Sequence, residues 1–184
     1  MKSFFSELWK LALISFVGLM GSGTAGLMRY GSDVLIPSSV AFAFVAFGLS
    51  GAFIFAFYHV RGLSNSITAA VTVGAVQFGI SALYLPILSA ALWSYGVNMS
   101  VVVVAFLFER KLAPLKQFKF LAVSLIYGMV FVLLTFLVAV LTGVRSLPPA
   151  VFRENFIDGL LIGLGLGLGV EIAESFVHSI ELRR

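Results

Sequence analysis

The sequence predicts an all-α fold, a polytopic membrane bundle of six transmembrane helices that forms one domain over residues 1–184 with both termini cytoplasmic. Three observations carry this expectation. Hydrophobic residues make up 60% of the chain and charged residues 11%, whereas a soluble domain is about half apolar and about a quarter charged. Uncharged runs recur at the length of a membrane span, and a helix needs about 20 apolar residues to cross the hydrocarbon core. The basic residues then segregate to one side of the implied topology. A mean hydropathy of +1.09 excludes a disordered chain and an ordinary soluble enzyme domain. The absence of cysteine excludes a disulfide scaffold and a thiolate metal site.

The first helix, near 8–28, is read from the uncharged run Leu11–Met28. Lys2, the apolar middle and the small residues Gly21–Ala25 also have the layout of a signal peptide. The apolar run continues to Met28 and the charge bias fits the uncleaved form, so this segment counts as a span. Val34–Tyr58 gives the second helix, near 36–59. Gly62–Phe108 lacks charge and is long enough for two spans, near 64–84 and 90–108. Pro86, Gly96 and Asn98 are turn formers, and Trp93 and Tyr95 favour a membrane interface, so a turn is expected between Tyr84 and Asn98. Phe120–Val144 gives the fifth helix, near 119–143. The last uncharged run, Gly159–Val170, is short. Its helix, near 156–177, must borrow flanking residues that include Asp158 and Glu171. A β-barrel is excluded because Val101–Phe108 and Phe131–Leu141 do not alternate apolar with polar residues.

With six spans, both termini share one side. That side carries Lys2, Lys10, Arg61, Arg110, Lys111, Lys116, Lys119, Arg183 and Arg184, nine of the 12 bases. Arg29, Arg145 and Arg153 fall on the other. This asymmetry orients the termini to the cytoplasm of a multi-pass protein of the cell (inner) membrane. The basic loop Glu109–Lys119 then lies near anionic headgroups, and no nucleic-acid partner is expected; the lipid bilayer is the first partner.

Two motif matches mislead. Gly21-Ser22-Gly23-Thr24-Ala25-Gly26 fits the dinucleotide pattern by letter, without the strand and acidic residue that its chemistry needs. Gly48-Leu49-Ser50-Gly51 is similar to the serine loop of rhomboid-type intramembrane proteases, yet a serine nucleophile needs a base. His59 and His178 fall at helix ends, far from mid-span Ser50. The same two positions disfavour a bis-histidine haem. The chain is therefore expected not to be an enzyme, and no cofactor is expected.

Three sets of residues remain as candidates. Gly21, Ser22 and Gly23 lie in a Gly/Ser-rich stretch that leads to Arg29 and Asp33. A continuous close-packed helix is the first reading of this stretch, but transporters unwind such stretches to hold substrate, so these five residues and mid-span Gln77 are candidate ligand contacts. Gly18, Ser22 and Gly26, and likewise Gly159, Gly163 and Gly167, are spaced four apart. Such small-residue rows let helices approach closely, either within the bundle or against a membrane-protein partner or a second copy. Glu171, Glu174 and His178 share one helix face and are competent metal or proton ligands. An amphipathic helix end with its polar stripe in water is the stronger reading of that spacing, because only Glu109 and His59 on other helices offer an acid or histidine near matching depth. Arg29, Asp33, Arg145, Arg153, Glu154 and Asp158 gather at the outer boundary, as a ring around an entrance or as solvated loop residues.

Six helices, both termini inside and small residues from Gly18 to Gly26 on the first helix together resemble the S components of energy-coupling-factor importers. The likeness spans the chain at the level of topology, and no binding residue carries over. It implies a small ligand held in the outer half, a transmembrane coupling protein and two ATPases. The expected function is a transport or substrate-capture subunit for a small solute. The alternative is a non-catalytic structural or accessory subunit of a larger membrane complex.

Overall fold

The structure is a computed structural model that describes residues 2–36, 40–111, 118–144 and 146–181. Its long elements are six α-helices: α1 (Lys2–Tyr30), α2 (Ala43–Arg61), α3 (Leu63–Ser81), α4 (Ile87–Arg110), α5 (Lys119–Leu141) and α6 (Pro149–Glu181). Two short 3₁₀ turns, Gly31–Leu35 and Val40–Phe42, join α1 to α2, and no strand occurs among the described residues. All six helices are long and apolar enough to cross a membrane.

Several boundaries differ from the sequence expectation, each for a local reason. The second helix begins at Ala43 rather than near 36, because the chain first makes the two 3₁₀ turns. The last begins at Pro149 rather than near 156. Proline fits the first position of a helix, where its fixed φ is already helical and its missing N–H is not needed. The turn between the third and fourth spans occupies Ala82–Pro86, and Pro86 caps α4 in an extended conformation. Trp93, Tyr95 and Asn98 consequently lie inside α4 and not in that turn. Gly62 alone separates α2 from α3 with φ +80°, a left-handed conformation that suits glycine.

Ion pairs fix the relative directions of the helices. Arg61 at the end of α2 meets Glu7 near the start of α1 at 2.5 Å, and Arg29 near the end of α1 meets Glu154 near the start of α6. The start of α1 and the end of α6 thus share one end, here called the terminal end, and the segments 31–36, 40–42, 82–86, 142–144 and 146–148 form the far end. Close packing runs α5–α6–α1–α2, with α3 at the periphery against α2 and α4.

Both small-residue rows face the chain's own helices. A Cβ on Gly18 would stand 2.6 Å from Ala52 Cβ, and one on Gly26 2.7 Å from Phe44 Cβ, so this row meets α2. Gly159, Gly163 and Gly167 meet α5, the last two at 2.8 Å from Tyr127 Cβ and 2.9 Å from Phe120 Cα. A second row on α6, Gly165 and Gly169, sits against the α1 backbone at Ser22 N and Gly18 Cα. The last helix is clamped on two sides, which offsets the helix-forming cost of its glycines. The outward face is the opposite: Phe16, Met20, Leu83, Leu125, Leu133 and Phe136 are all more than half exposed. Apolar area on that scale suits hydrocarbon rather than water.

Candidate functional site

Helices α2 to α6 enclose a cavity of ≈ 480 Å³ in the far half of the bundle. Phe47, Trp93 and Phe131 form its aromatic wall. Trp93 and Phe131 stand edge to face with centroids 5.1 Å apart, and Phe47 meets Phe131 the same way at 5.9 Å. Such edge-on arrangements are the favoured aromatic contact and hold each ring in place. Buried Phe131 and Thr135 line the inner part, while Tyr84, Leu85 and Val144 are exposed where the cavity reaches the far-end loops. The cavity therefore opens toward that end. An apolar recess with a few placed polar groups is the usual form of a small-molecule site.

Its polar groups are held from behind. Gln77 donates through Nε2 to the Ala46 carbonyl at 2.8 Å and accepts at Oε1 from Asn98 Nδ2 at 2.6 Å. Asn98 is fully buried on α4 and also donates to Ser94 O at 2.6 Å. These bonds fix the Gln77 amide and leave one N–H and one lone pair for a ligand. Thr135 donates to Phe131 O, and Asn155 to Val151 O, within their own helices.

Asp158 closes one side. Its Oδ1 accepts from Arg29 Nε at 2.6 Å, and the Tyr30 hydroxyl lies 2.9 Å from Oδ2. Arg29 also donates to Glu154 at 2.6 Å. The cavity wall thus carries a neutralised carboxylate, and the site has no strong net charge on this side.

Of the predicted ligand residues, Gln77 lines the cavity. Of the two readings of the first helix, the continuous one holds: α1 runs unbroken to Tyr30, without the ligand-facing break. Gly21 packs on the Gly165 backbone, Ser22 is buried and donates to Phe44 O at 2.7 Å, and Gly23 has open space beside it. Asp33 is exposed on the 3₁₀ turn. Arg29 reaches the cavity only through Asp158. Arg145 lies outside the described residues. Sequence reasoning missed Trp93, Phe131, Thr135 and Asn155 as one surface, since no local spacing relates residues on three helices. Asp158 was legible only as a boundary acid.

At the terminal end, the metal or proton row Glu171, Glu174 and His178 does not converge. Glu171 accepts from the Phe120 backbone N–H at 3.1 Å, and His178 is exposed. Glu174 alone enters a cluster, with His59 of α2 and Glu109 of α4. His59 Nδ1 lies 2.9 Å from Glu109 Oε1 and 3.6 Å from Glu174 Oε1. The reason is helix direction: α2, α4 and α6 all end here, so residues far apart in sequence meet.

Comparisons of the chain with protein-family models, with curated proteins and with solved structures return no match.

Proposed function

We propose that the chain is a transport or substrate-capture subunit that takes a small solute from outside the cell into the far half of the bundle. The observation that carries this reading is the cavity of ≈ 480 Å³, walled by Phe47, Trp93 and Phe131 and supplied with a fixed amide at Gln77. The lining suits a mostly apolar solute, preferably with a flat ring to lie against the aromatic wall and a polar group to meet Gln77. The nine-to-three charge asymmetry supports termini in the cytoplasm, which turns the cavity mouth outward. Solute held in the outer half is also what the resemblance to energy-coupling-factor S components implies, with a coupling protein and ATPases to drive release. The accessory-subunit alternative drew on the glycine rows, and their contacts within the bundle account for them without a partner.

Gentle detergent extraction from the native membrane, followed by native mass spectrometry, tests the reading. A small molecule retained by the wild-type chain and lost on Thr135→Phe, which fills the inner cavity, is the expected result. Co-purified ATPases would add the transport machinery. Redox or photosynthetic subunits with no bound small molecule would overturn the proposal in favour of an accessory chain.

A further inference from the structure

We propose that His59, Glu109 and Glu174 form a divalent transition-metal site at the terminal end, joining α2, α4 and α6. The inference is independent of the cavity and of the solute-capture reading.

The donor atoms carry the argument. One ligand atom from each residue lies within 4.8 Å of the other two. An imidazole nitrogen with two carboxylate oxygens suits zinc and its first-row neighbours. Zinc bonds of about 2.1 Å in a tetrahedron set ligand atoms about 3.4 Å apart. The distances from His59 Nδ1, 2.9 and 3.6 Å, bracket that edge. Entry of the ion requires a free lone pair on Nδ1, reached from the imidazolium by loss of one proton to solvent or from the neutral ring by carrying its proton on Nε2, and the His59–Glu109 hydrogen bond is exchanged for two metal bonds. The side chains keep 31%, 33% and 23% of their surface exposed, which leaves room for water as the remaining ligand. The three residues sit on three helices rather than along one, so no helix-face periodicity explains their meeting.

Neighbouring charges set the affinity. Lys10 on α1 and Lys119 at the start of α5 lie within electrostatic reach of the cluster, and Glu171 adds a carboxylate on the opposite side of the balance. Lys119 also rests on the Phe108 ring at 4.5 Å. The lysines oppose a second cation. Lys119→Met therefore tightens metal binding, an effect that a purely structural ion-pair cluster has no reason to show.

The test uses the full chain, purified in detergent without a histidine tag, stripped with chelator and titrated with Co²⁺ and then Zn²⁺. One equivalent of Co²⁺ should bind with visible absorption, Zn²⁺ should displace it, and each ion should raise the melting temperature. From the imidazolium form of His59, binding releases a proton, read as acidification of a weakly buffered sample at mildly acidic pH. His59→Ala and Glu174→Gln should weaken uptake at least tenfold, while His178→Ala leaves it unchanged and Glu171→Gln, which removes only a neighbouring charge, weakens it by less than either ligand variant. No saturable uptake by the wild-type chain overturns the proposal, whatever the variants do. Uptake that survives His59→Ala overturns it as well.

Discussion

Arg29 Nε donates to Asp158 Oδ1 at 2.6 Å, joining the end of α1 to the start of α6 across 129 positions of sequence. The two side chains keep 22% and 12% of their surface exposed, while Glu154, the other partner of Arg29, keeps 48%. This asymmetry predicts unequal consequences. Arg29→Met leaves Asp158 part-buried with only the Tyr30 hydroxyl, and stranding such a charge costs about 2–3 kcal/mol. Glu154→Gln removes an exposed pair that solvent screens and that contributes little, and it leaves the Arg29–Asp158 bond in place. Thermal unfolding in one detergent should rank the variants in that order. Equal losses would mean that Glu154 and Asp158 share the load.

Gly21 and Gly23 are two residues apart on α1 and should respond oppositely to alanine. Gly21 lies against the Gly165 carbonyl, whereas a Cβ at Gly23 meets nothing within 4 Å. Gly21→Ala forces α1 and α6 apart and should cost about 1–3 kcal/mol, as overpacking does. Gly23→Ala only lowers the entropy of the unfolded chain and should gain about 0.4–1 kcal/mol. Unfolding midpoints of the two variants, measured side by side, check the sign of each.

These glycines also show what the sequence made legible. The spacing of Gly18, Ser22 and Gly26 and of Gly159, Gly163 and Gly167 pointed to close-packed faces, though not to Gly21, and five uncharged runs, one long enough for two spans, pointed to six helices, because both signals are local. Spacing does not name the facing partner: that Gly165 meets Gly21 and Gly163 meets Tyr127 depends on how helices assemble. The cavity was less legible still. Gln77 stood out as a polar residue in a span, but Trp93 and Phe131 look in sequence like any aromatic residue facing lipid. The Glu171, Glu174 and His178 row was visible as one face, and only its middle member meets His59 and Glu109. Glu109 and His59 were legible as the candidate partners by depth along their helices, but spacing along one helix does not say which member of the row they meet.

Asn98 should act on ligand binding through Gln77. It is buried away from the cavity lining and bonds Gln77 Oε1 at 2.6 Å. Interhelical hydrogen bonds of this kind contribute about 0.6 kcal/mol on average in membranes, so Asn98→Ala should lower stability only slightly. The released Gln77 amide no longer holds one orientation. Binding of any solute identified by native mass spectrometry should weaken about tenfold, a loss of about 1.4 kcal/mol. Calorimetry should show a matching loss in Gln77→Ala and little further loss in the double variant. Additive losses would assign Asn98 a role of its own.

The cavity captures solute from outside only if the far end faces outward, and the chain is well suited to that test because it has no cysteine. Asp33 is exposed on the far-end 3₁₀ turn and Lys111 is exposed just after α4 at the terminal end. Asp33→Cys and Lys111→Cys each introduce one thiol on opposite sides of the bundle. A membrane-impermeant maleimide added to intact cells should label Asp33→Cys at once and Lys111→Cys only after permeabilisation. The charge asymmetry argues for this outcome, since six of the nine terminal-side bases are Lys2, Lys10, Arg61, Arg110, Lys111 and Lys119 and each raises the cost of translocating that side. The reverse labelling pattern would turn the mouth of the cavity to the cytoplasm. The Gln77 and Trp93 surface would then meet cytoplasmic solutes, and capture from outside would no longer be tenable.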